Sequence, residues 1–201
     1  MIRKILFATG NLNKVREVKK LAGDSFEILS LKDLKLENLE VEENGKTFLE
    51  NAKIKAEFYS NYTDLPVIAD DSGLVIDYLN GEPGVYSARY LGNSLSFRDK
   101  CKIILDKMSE VKDIKERSAR FICCACFAQK GKSLFCKEGR VEGYISFELK
   151  GEKGFGYDPI FFYPPLNMTF AEIDLESKNS VSHRYKAFKL LFEEIKKLPN
   201  K

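Results

Sequence analysis

Leu65-Pro66-Val67-Ile68-Ala69-Asp70-Asp71-Ser72-Gly73-Leu74 joins an apolar run to two adjacent carboxylates and a Ser-Gly step. The apolar run reads as a buried strand from Leu65 to Asp71. A second strand, Leu74 to Tyr78, is expected beyond an acidic turn. Successive side chains of a strand point to opposite faces, so Asp70 and Asp71 are expected to do different jobs. Two acids at a strand end cost desolvation and mutual repulsion, which a cation or a reacting proton relieves. A solvated turn is the plainer reading of Asp-Asp-Ser-Gly alone, since these residues favour turns. The rest of the chain decides between the two.

Strands and helices alternate on both sides of this stretch. Upstream lie a strand from Lys4 to Ala8, a Thr9-Gly10-Asn11 turn, a helix from Asn13 to Leu21 and a strand from Glu27 to Leu31. Residues 32 to 46 are polar and acidic, and Gly45 is a break. Thr47 suits the N-cap of a helix running to Tyr59, with Glu50 three residues on as a capping box. Downstream come the Gly81–Gly84 loop, a short helix near Ser87 and a helix over Phe97 to Met108. Ala119 to Gln129 and Ser133 to Cys136 form a hairpin pattern over Lys130-Gly131-Lys132. Val141 to Leu149 reads as a further strand, Gly151 to Asp158 as a glycine-rich loop and Pro159 to Tyr163 as a short strand. Phe188, Leu191, Phe192, Ile195 and Leu198 have helical spacing on a last helix from Ser182 to Leu198. Interleaved elements with hairpins predict an α/β class with a mixed sheet.

A chain of 201 residues fits one domain, or two lobes sharing a core. A net charge of +3, with Lys and Glu intermingled, argues against a dedicated nucleic-acid surface but not against a small polyanion held by a few cations. No apolar run approaches the roughly 18 residues of a membrane span. Met1-Ile2-Arg3-Lys4 leads straight into the first strand without a signal-peptide core, so a cytoplasmic location is expected. Cys123, Cys124 and Cys126 alternate along a buried strand and do not converge on one metal. With an odd total of five cysteines, the expectation is free thiols packed as small apolar residues.

Several segments suit an anionic, aromatic ligand. Thr9-Gly10-Asn11-Leu12-Asn13-Lys14 brings a helix N-terminus, a glycine and a cation together, which attracts phosphate. It is not a Walker A loop, for Gly-Lys-Ser/Thr is missing. A capped surface helix is the competing reading. Lys55 falls on the apolar stripe of its helix with Phe48, Ala52, Ala56 and Tyr59, and a buried ammonium needs a partner. Its long stem could instead snorkel to the surface. Glu42 and Glu43 precede that helix and could join a carboxylate pair holding Mg²⁺ with substrate phosphates. Gly154-Phe155-Gly156-Tyr157-Asp158-Pro159 sets aromatics among glycines beside an acid, which suits a nucleobase, or else plugs a loop. Ser182-His183-Arg184, with Lys178 just before it, opens the last helix and holds the single histidine. Together these pieces describe a nucleoside-triphosphate site.

Their order and spacing resemble the inosine triphosphate pyrophosphatase family, the non-standard purine NTP pyrophosphatases. The likeness runs through Ala8-Thr-Gly-Asn11 and Lys14, Glu42-Glu43, Thr47-Phe-Leu-Glu-Asn-Ala52, Ala69-Asp-Asp-Ser-Gly-Leu74, Pro83-Gly84, Ser87-Ala-Arg89, Gly154-Phe-Gly-Tyr-Asp-Pro159 and Ser182-His-Arg184. Lys153 departs from the Gly pair common at that loop. The resemblance implies an elongated α/β fold of two lobes with the active-site cleft between them, and a homodimer. It implies Mg²⁺-dependent hydrolysis of ITP, dITP and XTP to the monophosphate and pyrophosphate. On it, Thr9, Gly10, Asn11, Leu12, Asn13, Lys14 and Ser72 hold substrate, with Lys55 and Lys178 as further phosphate cations. Asp71 is the general base and a metal ligand, completed by Glu43 or Glu42. Phe155, Gly156 and Tyr157 form the base loop, Phe155 stacking, while Asp158, His183 and Arg184 read the base edge. A pyrophosphatase for other modified nucleotides and a single-strand nucleic-acid binder are the alternatives.

Overall fold

The computed structural model describes residues 3–199; the Met1-Ile2 start lies outside them. The strands are β1 Arg3–Phe7, β2 Phe26–Ser30, β3 Val67–Ile76, β4 Ser118–Gln129, β5 Lys132–Ile145, β6 Phe161–Tyr163 and β7 Met168–Thr169. The helices are α1 Leu12–Ala22, α2 Phe48–Tyr59, α3 Phe97–Lys107, α4 Leu175–Val181 and α5 His183–Lys196. One mixed sheet runs in the order β2-β1-β3-β4-β5-β6-β7. β1 pairs in parallel with β2 and β3, whereas β6 pairs antiparallel with β5 and β7.

The helix starts follow capping chemistry. Asn11 caps α1 by accepting from the backbone N–H of Asn13 and Lys14 at 3.0 and 3.3 Å. Thr47 Oγ1 accepts from Glu50 N at 3.1 Å, and Glu50 Oε2 accepts from Thr47 N at 3.2 Å, closing the expected capping box on α2.

The chain divides into two compact units. One runs through Ser72, includes Cys123–Gly139 and resumes at His183; the other comprises Gly73–Ile122 and Arg140–Ser182. Each has its own apolar core. In the first, Phe7, Val18, Phe26, Ile68, Phe127 and Phe188 pack together with Leu191 and Ile195. In the second, Leu74, Ile104, Phe121, Ile145, Phe161 and Phe170 do so.

Three expectations need correction. The acidic stretch is not a turn: Val67–Ile76 is one continuous strand. Turn propensity in Asp and Ser comes from side chains bonding their own backbone in water, and the Asp70 carboxylate is instead buried among cations. Ser133–Cys136 and Val141–Leu149 are not separate strands, because β5 runs unbroken from Lys132 to Ile145. Its buried positions Gly139, Val141 and Gly143 alternate with exposed Glu138, Arg140 and Glu142. Finally, Cys126 and Cys136 form a disulfide across β4 and β5. Only Cys101, Cys123 and Cys124 are free, all buried as anticipated. Cross-strand neighbours sit close enough to bond whatever the parity of the cysteine count.

Candidate active site

The first unit gathers most of the acids and cations singled out from the sequence. Asp70 and Asp71 face different partners, as strand alternation requires. Asp70 is fully buried. Lys14 Nζ lies 3.1 and 3.0 Å from its two carboxylate oxygens, and Arg184 Nε donates to Oδ2 at 3.3 Å. Burial pushes the Asp70 carboxyl up, but Lys14, Arg184 and Lys55 outweigh it and hold the group well below the usual carboxylate range. Asp71 has a different environment. Its Oδ2 accepts from Asn51 Nδ2 at 3.1 Å and its Oδ1 from the backbone N–H of Ser72 at 3.0 Å. Burial raises its carboxyl above the usual range; Lys55 and Lys14 oppose this, and the charge of Glu43 adds to it. One acid is locked as an anion, while its neighbour is poised closer to taking a proton.

Lys55 does not snorkel. Its ammonium is 2.8 Å from Glu43 Oε2 and donates to the Asp70 carbonyl at 3.2 Å. Burial works against its charge, and Glu43, Asp71 and Asp70 together more than restore it. Glu42, the neighbouring candidate, is exposed. Among the described residues no three His, Cys, Asp or Glu side chains cluster as a self-sufficient metal site, so the acids available here are the Asp71 and Glu43 carboxylates.

Thr9, Gly10, Asn11, Leu12 and Asn13 line the exposed or half-exposed start of α1. Thr9 Oγ1 accepts from Asn11 N at 3.2 Å. The Asn11 cap already occupies the N–H groups of Asn13 and Lys14, so an anion here competes with a side-chain amide. Leu12 projects into solvent.

His183 and Arg184 open α5 and are both buried. The Arg184 guanidinium donates to Glu17 Oε2 at 2.6 Å, Ser72 Oγ at 2.8 Å and Asp70 at 3.3 Å. It therefore bridges α1, β3 and α5. Glu17 was not foreseen. Its signal is a carboxylate on the buried face of α1 beside Val18 and three residues after Lys14, a position that needs a cation.

The second unit holds the glycine-rich loop. Asp158 Oδ2 accepts from the backbone N–H of Phe155 at 2.8 Å and from Lys178 Nζ at 2.6 Å. Lys178 Nζ also stands 4.7 Å from the centroid of the Phe155 ring, a cation–π contact. Gly154 has φ +73°, and a Cβ there would collide with the Asp158 carboxylate, so this turn admits only glycine. Tyr157 is buried: its hydroxyl donates to the Ser87 carbonyl at 2.8 Å, and its ring meets Phe97 edge-on. The Gly156 carbonyl faces Cys101 Sγ at 3.7 Å. Tyr157 is thus an anchor of the loop, and Phe155, only half-buried, is its available aromatic face.

The sequence model of the Ham1 family matches residues 5–194. A dITP/XTP pyrophosphatase of Dictyoglomus thermophilum is 47% identical over 191 residues, 94% of this chain and 92% of that protein. One of the same name from Oceanobacillus iheyensis is 46% identical over 187 residues, 92% of this chain and 94% of the other. A solved structure of a HAM1 protein from Coxiella burnetii superimposes with a TM-score of 0.87 at 35% identity, covering 98% of this chain and all of that one (100%).

Proposed function

The chain belongs to the Ham1 family, and on that footing we propose that it is a Mg²⁺-dependent nucleoside-triphosphate pyrophosphatase. Its substrates are ITP, dITP and XTP, hydrolysed to the monophosphate and pyrophosphate. Two sets of facts support this reading: the names of the close relatives and the unequal treatment of two adjacent acids. Asp70 is neutralised by Lys14 and Arg184. Asp71 accepts from the Asn51 amide and the Ser72 backbone N–H and is pushed toward protonation by burial.

Water attacks the α-phosphorus, and Asp71 accepts its proton. The bond to the β-phosphate bridging oxygen breaks, and pyrophosphate leaves. Lys14 and Lys55 are the cations that balance charge developing on the phosphate oxygens, and cations held in place by partners do so without reorganising. The N-terminal turn of α1, Thr9 to Lys14, carries the remaining phosphate contacts. Asp71 and Glu43 would hold the metal. Two hard carboxylates with no soft or imidazole ligand fit Mg²⁺, which takes the rest of its shell from substrate phosphates and water. When bound, the ion supplies Lewis-acid stabilisation of phosphoryl charge.

Phe155 stacks on the base, and Asp158 and Arg184, with His183, read its edge. Each charged group is held by a buried partner within its own unit, Asp158 by Lys178 and Arg184 by Glu17. Arg184 is donor-only and suits a 6-oxo group, while an ionised Asp158 is acceptor-only and suits a protonated N1. Adenine, with an amino donor and a bare N1, mismatches both. Lys178 holds Asp158 and is the further phosphate cation of this reading. A homodimer is the assembly proposed, measured by light scattering.

The test is pyrophosphate release from ITP, dITP, XTP, GTP and ATP with Mg²⁺, and again after EDTA. Fast turnover of the 6-oxo substrates lacking a 2-amino group, slow turnover of ATP, and reversible loss with EDTA are expected. Equal turnover of ATP and ITP would overturn the base assignment, and release of orthophosphate alone would overturn the reaction.

A further inference from the structure

Asn51 lies on α2 and is almost completely buried, yet both ends of its carboxamide are engaged. Its Nδ2 donates to Asp71 Oδ2 at 3.1 Å. Its Oδ1 accepts from the backbone N–H of Gly45 at 2.8 Å. Gly45 stands two residues after Glu43, in the acidic segment before α2. One turn further along α2, Lys55 grips the same two structures: the Glu43 carboxylate at 2.8 Å and the Asp70 carbonyl at 3.2 Å. Residues i and i+4 of a helix share a face. That face of α2 is therefore a rigid spacer, tied by two side chains to β3 on one side and to the Glu43 segment on the other.

We infer that Asn51 is a positioning residue that holds the Asp71 carboxylate and the segment carrying Glu43 in fixed relation to one another, ready for a divalent cation. This rests on the proposed roles of Asp71 and Glu43. A buried Asn is expensive unless both its oxygen and its nitrogen are satisfied, and here one end holds the Asp71 carboxylate and the other the backbone two residues after Glu43. A carboxylate with free rotation about its side-chain torsions must be ordered when the cation arrives. Asn51 and the Ser72 amide, one on each Asp71 oxygen, do that ordering in advance. Partners of metal-ligating carboxylates commonly contribute about 10- to 100-fold in metal affinity or activity.

Gly45 gives an independent handle on the same latch. Its φ is not in the positive region reserved for glycine, so alanine is permitted by the backbone. A Cβ there would stand 2.7 Å from Asn51 Oδ1, 2.7 Å from Glu50 Cβ and 3.0 Å from Asn51 N. Gly45→Ala therefore pries the segment off Asn51 without altering either carboxylate.

The experiment compares the parent with Asn51→Ala, Gly45→Ala and Asp71→Asn. Mn²⁺ binding to the substrate-free protein is followed by electron paramagnetic resonance, and the Mg²⁺ concentration for half-maximal ITP turnover is measured beside it. Circular dichroism and thermal melts report folding. In Asn51→Ala and Gly45→Ala, Mn²⁺ affinity should fall about tenfold or more, and excess Mg²⁺ should recover part of the lost turnover. A side chain that merely stabilised the fold would lower the melting temperature and leave the metal dependence in place. A folded Asn51→Ala or Gly45→Ala protein with Mn²⁺ affinity and Mg²⁺ half-saturation within twofold of the parent overturns the inference. Should Asn51→Ala fail to fold, Gly45→Ala decides alone. Should Mn²⁺ binding by the parent be too weak to measure, the Mg²⁺ half-saturation decides. Full turnover and unchanged metal dependence in Asp71→Asn would instead overturn the underlying reading of the site, and this inference with it.

Discussion

Removing Arg184 tests whether the acid–base arrangement of the first unit is structural as well as chemical. In Arg184→Ala the Glu17 carboxylate, 2.6 Å from the guanidinium and almost wholly buried, loses this ion-pair partner. Asp70 keeps Lys14 but loses a second cation, and Ser72 Oγ loses a donor. Breaking a buried ion pair by deleting one partner costs about 3–5 kcal/mol, because the other charge stays behind. For a chain of this length that corresponds to a fall of about 6–20 °C in melting temperature. Glu17→Gln should cost less, since it removes a charge instead of stranding one, and Arg184 retains Asp70. The double variant should recover part of the loss. A coupling energy in the upper half of the usual range of about 0.5–3 kcal/mol for residues in one network is expected. The pH dependence follows from the depressed Asp70 carboxyl. A group lowered in the folded state stabilises above its unfolded pKa of about 3.9 and loses that contribution as pH falls toward the folded value. With Arg184 gone the depression is smaller, so the variant should lose less stability than the parent as pH falls below the unfolded value, and its acid limb should be shallower. The assay is urea unfolding of the four proteins from pH 3 to 8. A coupling energy below about 0.5 kcal/mol, or an unchanged acid limb, would refute the claim that Arg184 is held by these two acids.

Three further outcomes are expected. Asp71→Asn keeps shape and removes a base, so turnover of ITP should drop at least about 10²-fold; activity within a few-fold of the parent would end the general-base assignment. Lys55→Met preserves the buried stem and deletes the ammonium that faces Glu43 and Asp70. ITP turnover should fall about 10²-fold, the scale of one lost charge-stabilising donor, and a fully active, more stable variant would relegate Lys55 to packing. The denatured, unreduced protein should titrate with three thiols, those of Cys101, Cys123 and Cys124. Cys136→Ser should cost about 2–3 kcal/mol on the chain-entropy estimate for a bridge spanning 10 residues; five titratable thiols would contradict the bridge.

Much of the fold was legible because local rules and tertiary structure agree. The Thr47–Glu50 capping box, the apolar spacing along α5 and the alternation of strand and helix each have a mechanism that does not wait for packing. The opposite facing of Asp70 and Asp71 follows from strand geometry alone. The errors arose where a local rule met a tertiary partner. Asp-Asp-Ser-Gly carries turn chemistry, but Lys14, Arg184 and Asn51 satisfy the side chains that would have bonded the turn, so β3 runs on. In β5 the inward positions near the break are Gly139 and Gly143, so the two-residue period is present in burial and absent in hydrophobicity. The Cys126–Cys136 bridge depends on cross-strand register, which five cysteines on a line of text do not display.

The candidate site divides in the same way. Lys14, Lys55, Asp71 and Glu43 were recognisable as charged residues at helix starts, on an apolar stripe or at a strand end, positions where charge is costly without a ligand or a partner. What spacing could not show is which partner each would take. Lys55 and Arg184 both look like ligand cations in the sequence, and both are committed to carboxylates in the fold. Asn51 enters the sequence reading only within the Thr47–Ala52 likeness, with no role, and Glu17 not at all, because a neutral amide and an acid within helices are ordinary until burial is known. Once Asn51 is seen to touch Asp71 and Gly45 at once, its two-ended chemistry becomes informative, for a carboxamide offers a donor nitrogen and an acceptor oxygen on one rigid plane. The residues proposed to bear charge in the reaction are therefore visible from composition and pattern, whereas those that hold them in place are visible only from contacts.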